Sequence, residues 1–569
     1  MAATREIIQP SSDPSTQSNY NEIKTTHFHL DWTIDWKSKI IAGSVKHSLV
    51  VLSDTDSVVF DSSYLDIQHA RLAGGVNLDF DLPPRHKVMG SALKVKLDRV
   101  YRRDETVEVV LEYATTKDCT ALGWLSAEQT ASKKYPFLYS QCQAIHARSL
   151  VPCQDTPAIK STYSASVSSP LPVLMSGIGT KPSREEISTM VTSDSIDPSK
   201  SITYEYEQNI AIPSYLLAIA GGEIAFAPLG PRTGVWAEPA VLKDAQWEFE
   251  RDTEEFVKVA EAIATPYCWG RFDSLVLPNS FPYGGMENPN ATFLTPALVV
   301  GDRSEVDVIA HELAHSWTGN LVGCANWTSF WLNESFTTYI ERAIIEKLHG
   351  PAERGFSFLV GKLSLDQALA KQAWKPKYQR LVIEYGIGED PDDGYSTVQY
   401  DKGANLLKLI EQVVGGLDEM LKYVKAYIER FSGLSITSED WLAHFWQYWN
   451  QFPEQASAIK QKVDFDAWLY GEGLELPVKM TYDTSLADKA YALAKRWNDA
   501  RDGDSWETFS AKDVDGWTSN QVGMLLDTLT TYHKFPKDAV EHLERAYAVN
   551  ATKNPEIRAS QYSPAMAFR

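Results

Sequence analysis

Two histidines four residues apart bracket a glutamate in the stretch His311-Glu-Leu-Ala-His315. On a helix both imidazoles lie on one face, with Cβ atoms about 5–6 Å apart. From that separation two ring nitrogens can converge on one Zn²⁺ at about 2.0–2.1 Å. Glu312 stands beside them, placed to hold a water next to the metal without being a ligand itself. Catalytic zinc ordinarily takes three protein ligands and leaves a position for water. Glu334, within Trp331-Leu-Asn-Glu334, is the candidate for the third. Glu341, two turns beyond it, either supports a ligand from outside or is a solvated face residue.

Two helices must position these groups. Val306, Ile309, Leu313 and Trp317 recur at helical spacing, and Ser304-Glu-Val-Asp307 reads as a capping-box variant that predicts a helix starting there. Phe336, Tyr339, Ile340, Ala343 and Ile344 form a second apolar stripe, with Glu334 in its first turn. The eighteen residues between His315 and Glu334 let the chain reverse. Two antiparallel helices then bring Glu334 opposite the histidines.

The rest of the 569-residue chain is long enough for about three or four domains. With 75 acidic against 54 basic residues the net charge is −21, which excludes nucleic acid and anionic lipid as principal partners. No apolar run approaches the roughly 20 residues that span a bilayer, so no membrane insertion is expected. The polar N-terminus lacks an apolar signal core, and the five cysteines form no CxxC pair. Reduced thiols and a cytoplasmic location, with the nucleus as a second compartment, follow as expectations. Leu93, Val95 and Leu97 alternate with polar residues, as do Val107, Val109, Leu111 and Tyr113, the pattern of half-solvated sheets. Helical periodicity takes over from about residue 245. The expected division is an all-β domain over 1–225, a catalytic domain over 226–470, a linker over 471–483 and a helical domain over 484–569.

His311-Glu-Leu-Ala-His315 followed by Glu334 resembles the zinc motif of the gluzincin aminopeptidases. Phe281-Pro-Tyr-Gly-Gly-Met-Glu-Asn-Pro289 is similar to their exopeptidase motif. Ser140-Gln-Cys-Gln-Ala-Ile-His146, Pro152-Cys-Gln-Asp-Thr-Pro157 and Asp390-Pro-Asp-Asp-Gly-Tyr-Ser-Thr-Val-Gln-Tyr400 bring the likeness nearest to leukotriene A(4) hydrolase and its fungal leucyl aminopeptidase-type relatives. The resemblance implies a multi-domain α+β protein. A β-sheet saddle comes first, then a thermolysin-like zinc domain, then an all-helical domain. It implies one Zn²⁺ per chain held by His311, His315 and Glu334, with Glu312 and Tyr400 catalytic. It implies that Glu287, helped by Gln143, receives the α-ammonium of a peptide with a free N-terminus, and that Tyr283, Gly284, Gly285 and Met286 line the substrate path. Asp392 and Tyr395 match positions associated with a second activity, hydrolysis of a fatty-acid epoxide. A monomer is expected.

The likeness stops at Asn554-Pro-Glu-Ile-Arg558, and the last residues, 559–569, depart from the family. The helical domain is therefore expected to be shortened and to expose an apolar face. That leaves an alternative, a binding or scaffold protein with impaired catalysis. An endopeptidase is disfavoured by Gly285-Met-Glu287. Replacing Glu312 by Gln is expected to keep zinc bound while lowering turnover by about 10²–10⁴-fold, the usual worth of a general base. Metal analysis beside a peptidase assay checks both halves of that expectation.

Overall fold

A computed structural model describes residues 13–501, 503–555 and 557–558; the departure over 559–569 lies outside the described residues. Alternating burial builds the N-terminal region. In the strand Ile23–Asp35 the side chains of Leu30, Trp32 and Ile34 turn inward, and their polar neighbours turn out. Leu93, Val95 and Leu97 do the same in Ser91–Tyr101.

The main sheet has seven strands, in the order Ile178–Lys181, Ile202–Pro213, Lys160–Ser169, Ile23–Asp35, Ile40–Val51, Thr106–Thr115, Leu65–Leu72. A four-stranded sheet contains Phe137–Ser140 and Ile219–Gly221. A three-stranded sheet pairs Thr55–Ser62, Ser91–Tyr101 and Phe80–Asp81. The expectation of an all-β first part needs one correction. Arg184–Thr192 is a helix, opened by a true capping box in which Ser183 and Glu186 exchange bonds.

A mixed five-stranded sheet follows, in the order Ala225–Pro228, Thr233–Ala237, Phe272–Val276, Thr292–Leu294, Gly285–Met286. Its inner pairs are parallel, and Gly285–Met286 is an antiparallel edge strand in register with Phe293 and Leu294. The expected shift to helices at about 245 therefore arrives with strands still to come.

The two helices that carry the chemistry come next. The histidine helix spans Asp307–Ala314 and packs against the glutamate helix, Trp331–His349. The histidine helix does not begin at Ser304. Ser304 Oγ and Glu305 Oε1 instead accept from the Asn554 amide, at 3.1 and 2.6 Å, so the candidate cap Ser304 is engaged in a tertiary contact. Trp331, Phe336, Tyr339 and Ile340 are fully buried, and the helix Gly403–Val414 lies against them.

The N-terminal and catalytic parts share one hydrophobic core, from Ile23 to Met480. Residues 471–483 carry no helix or strand. Helices Asp488–Ala500, Ser519–Thr530 and Lys537–Ala546 form a separate core around Trp497, Leu525 and Leu543, which reaches back to Phe356 on the helix Pro351–Lys371. The expected apolar face is not found: among the described residues, no large apolar side chain after 483 is strongly exposed.

Close approach between the glutamate helix and the helix starting at Gly403 fixes their spacing, because a Cβ at 403 would collide with Ser335 Oγ. Gly403→Ala is expected to destabilise the fold by about 1–3 kcal/mol, as overpacking does. Denaturant unfolding with an unchanged m-value checks it.

Candidate metal centre and substrate cleft

The histidine helix delivers His311 from its last turn and His315 as its C-terminal cap, and the main-chain bond from His315 N to His311 O keeps the turn intact. The two Nε2 atoms lie 3.2 Å apart. Glu334 Oε2 is 3.6 Å from the first and 3.3 Å from the second. These edges match a tetrahedron with ligand bonds of about 2.0–2.1 Å, whose corners lie about 3.3 Å apart.

The outer nitrogens decide which atoms face inward. His311 Nδ1 donates to Glu341 Oε2 at 2.9 Å, and His315 Nδ1 donates to the Thr318 carbonyl at 2.9 Å. Each Nε2 is then left with a lone pair directed at the other and at a carboxylate. Glu334 Oε2 is buried and has no hydrogen-bond partner. Two ring nitrogens and a buried carboxylate oxygen facing one another form a donor set that fits a divalent cation.

The surrounding charges point the same way. Burial pushes the Glu312 carboxyl up to about 8 and raises Glu287 as well. Burial also opposes ionisation of Glu334, yet His315 and His311 outweigh it and hold that carboxyl below its usual range. Against the cost of burial, the surrounding carboxylates raise both imidazoles above their ordinary value. Four carboxylates (Glu287, Glu312, Glu334 and Glu341) thus crowd two imidazoles, an arrangement that a divalent cation stabilises.

A cleft of about 310 Å³ opens over this centre, at the low end of the range of roughly 300–1,000 Å³ that small ligands occupy. Gln143, Tyr283, Glu287, Glu312, Glu334 and Tyr400 are among its walls. Gly285 lies so close to Glu312 that a Cβ there would overlap its carboxylate. Gly284 differs: its Cβ would meet only Val308 Cγ1, at 3.8 Å, so the steric demand falls on Gly285 alone. Met286 is buried and accepts a contact from Gln141 Nε2 at 3.1 Å.

Glu287 is 5% exposed, its Oε1 has no partner, and one of its oxygens lies within 4.8 Å of ligating atoms of Glu312 and His315. Gln141 Oε1 and Gln143 Nε2 are also buried and unpartnered, and both residues line the cleft. Gln141 is a polar wall that sequence reasoning passed over, although it stands in the same Ser140-Gln-Cys-Gln143 stretch as Gln143.

Tyr400 sits in a single π-turn, Val398–Lys402, a local widening of the kind found at functional sites. Its ring stacks on His311 at 5.7 Å, and its hydroxyl lies 3.1 Å from that of Tyr395. Ser335 Oγ donates to the Gln399 carbonyl, and Arg342 Nη2 donates to Asp401 Oδ1 at 2.6 Å. The glutamate helix therefore clamps both sides of Tyr400. Tyr283 and Tyr395 meet edge to face at 6.1 Å.

Beyond them an apolar recess of about 80 Å³ is walled by Trp327, Phe330, Tyr385 and Tyr395, with Asp392 at its margin. Asp392 Oδ2 accepts from His146 Nε2 at 2.9 Å, and Oδ1 accepts from Ala144 N at 3.3 Å. His146 is a second group that sequence reasoning quoted without assigning a role. The residues expected from the sequence line either the cleft or the recess, and Gln143, Tyr283 and Tyr395 belong to both; Asp392 lines the recess only.

With this geometry in view, the comparisons with known proteins are direct. Residues 247–468 match the peptidase family M1 domain and residues 24–216 the peptidase M1 N-terminal domain. The chain belongs to the M1 peptidase family, whose members are zinc enzymes. It is 41% identical to leucine aminopeptidase 2 of Ajellomyces capsulatus, over 96% of this chain and 86% of that one. It is 40% identical to a leukotriene A-4 hydrolase homolog of Botryotinia fuckeliana, over 100% and 86%. The structure of yeast LTA4 hydrolase in complex with bestatin superposes with a TM-score of 0.89 at 38% identity, covering 98% of this chain and 88% of that one. Nothing in the site or the comparisons supports the alternative of an impaired scaffold.

Glu341 carries the orientation of His311. Glu341→Ala is expected to weaken zinc binding by about 10–100-fold, the usual cost of losing a ligand's outer partner. Competition with a chromophoric chelator measures it.

Proposed function

We infer that this protein is a zinc aminopeptidase that removes N-terminal residues from peptides, with one Zn²⁺ held by His311, His315 and Glu334. The observation that carries the exopeptidase reading is the buried carboxylate of Glu287, which lines the cleft beside the metal-ligand cluster and whose Oε1 has no partner among the described residues. A free α-ammonium supplies the charge this group lacks, whereas an internal peptide segment would leave it unpaired.

In this reading Glu287 and the Gln141 carbonyl oxygen accept from the ammonium, and the edge strand Gly285–Met286 aligns the substrate backbone. When bound, zinc supplies Lewis acidity, polarising a carbonyl and lowering the pKa of water. Glu312 takes the proton of the attacking water and returns it to the leaving amine. Tyr400 donates its hydroxyl proton in a hydrogen bond to the carbonyl oxygen as that oxygen gains charge. Gly285 lets Glu312 come this close to the substrate strand. The apolar recess suits a hydrophobic first side chain.

A free-amine arylamide and its N-acetylated twin test the reading. The wild type cleaves the first and leaves the second intact; equal cleavage of both overturns it. Glu287→Gln is expected to lower kcat/KM for the free amine by about 10²-fold, within the range for losing one partner of a buried charge pair.

A second activity on a lipid epoxide of the leukotriene A(4) type rests on narrower ground. Asp392 is oriented by His146 at the edge of the recess, with Tyr395 facing it across the apolar wall. There Asp392 would direct water to a carbon of the opening epoxide. Loss of diol formation in Asp392→Asn, with arylamide cleavage retained, supports that role, and diol formation unchanged by the substitution removes it.

A further inference from the structure

Lys160 opens the strand Lys160–Ser169 of the N-terminal sheet, with its main chain paired to Pro213. Its side chain leaves that sheet and crosses into the catalytic part. There Nζ donates to three main-chain carbonyls: Asn320 O at 2.9 Å, Leu321 O at 2.9 Å and Leu434 O at 3.1 Å. An ammonium has three donors, and here all three are used. Among the described residues no carboxylate pairs with it, and burial pushes its pKa down to about 7. A cation desolvated without an anion is costly unless its donors are saturated, so carbonyls and ammonium hold each other in place.

Two of these carbonyls, Asn320 and Leu321, belong to a loop that touches the candidate site twice, and Leu434 belongs to a second segment packed beside it. Thr318 O accepts the outer proton of His315, and Thr337 Oγ1 donates to the same oxygen at 2.8 Å. Asn320 Nδ2 donates to the main-chain carbonyl of Glu287 at 2.8 Å. Between them Gly319 has φ +120°, and a Cβ there would press on His315 Nδ1 at 2.9 Å, so the loop has little room to shift. Leu434 O also accepts from Gly323 N at 3.1 Å, which closes the far end of the loop.

We propose that Lys160 is a positioning residue. By gripping the carbonyls of Asn320, Leu321 and Leu434 from the N-terminal sheet, it sets the loop that orients the metal ligand His315 and the amine-binding Glu287. This rests on the aminopeptidase reading above. Lys160 touches neither substrate nor metal, and its effect passes through Thr318 and Asn320.

The test compares zinc-loaded full-length wild type, Lys160→Met and Asn320→Ala, reading kcat and KM on a free-amine arylamide, zinc release to a chelator, and Tm. For Lys160→Met, with Tm showing a folded protein, KM is expected to rise at least about fivefold and zinc release to quicken by at least about fivefold, as loss of outer support does. Asn320→Ala is expected to raise KM without hastening zinc release, because its amide reaches only Glu287. The double variant is expected to show less than the product of the two KM effects. Should Lys160→Met not fold, Lys160→Gln is read in the same way. KM and zinc release within twofold of wild type in a folded Lys160 variant overturn the proposal, and so does an unchanged KM in Asn320→Ala. An inactive wild type overturns the aminopeptidase reading instead, so the two failures are distinguishable.

Discussion

Three electron-rich atoms that ought to repel one another are held face to face. The Nε2 lone pairs of His311 and His315 and the Oε2 of Glu334 meet within 3.6 Å in a buried place. In a low-dielectric interior such a meeting is stabilised by positive charge between them, which a metal ion supplies. Each atom is aimed by a bond on its far side, Glu341 for His311 and the Thr318 carbonyl for His315. The packing of two helices, the loop after the first and the rear face of the second all exist in support of this one convergence.

Exopeptidase character arises from the same economy of charge. Glu287 lines the cleft with an oxygen that has no partner among the described residues, and Gln141 offers a second such acceptor. A substrate ammonium completes what the fold leaves incomplete, so recognition and catalysis share one electrostatic field. The Arg342–Asp401 pair and the Ser335–Gln399 bond then register the Tyr400 turn against the helix that bears Glu334.

The N-terminal sheets contribute more than a platform. Gln141, Gln143, His146 and Lys160 all come from that half of the chain, and each points toward the cleft or its supporting loop. A shared core from Ile23 to Met480 packs the two halves against each other. Polar groups from separate sheets can therefore be placed to hydrogen-bond accuracy.

The sequence alone determined what depends on short spacing. His311, Glu312 and His315 lie within five residues, and the helical period fixes their common face whatever the rest of the chain does. Glu334 and Glu341, seven residues apart, share a face for the same reason, and strand alternation at Leu93, Val95 and Leu97 announced the sheets. Tyr400, Glu287 and Gln143 were legible only through resemblance, because no local period relates them to the histidines.

Tertiary structure decided everything that rests on contacts between distant segments. The helix starts at Asp307 rather than at Ser304, whose hydroxyl instead accepts from Asn554, some 250 residues away. Gly285 is sterically required and Gly284 is not, because only one of them faces Glu312. Lys160 and Gln141 gained roles when carbonyls and a cleft were brought to them. A residue's type and its near neighbours set what chemistry it can do, but burial and partner geometry set whether it does so, and those are fixed only when the chain closes on itself.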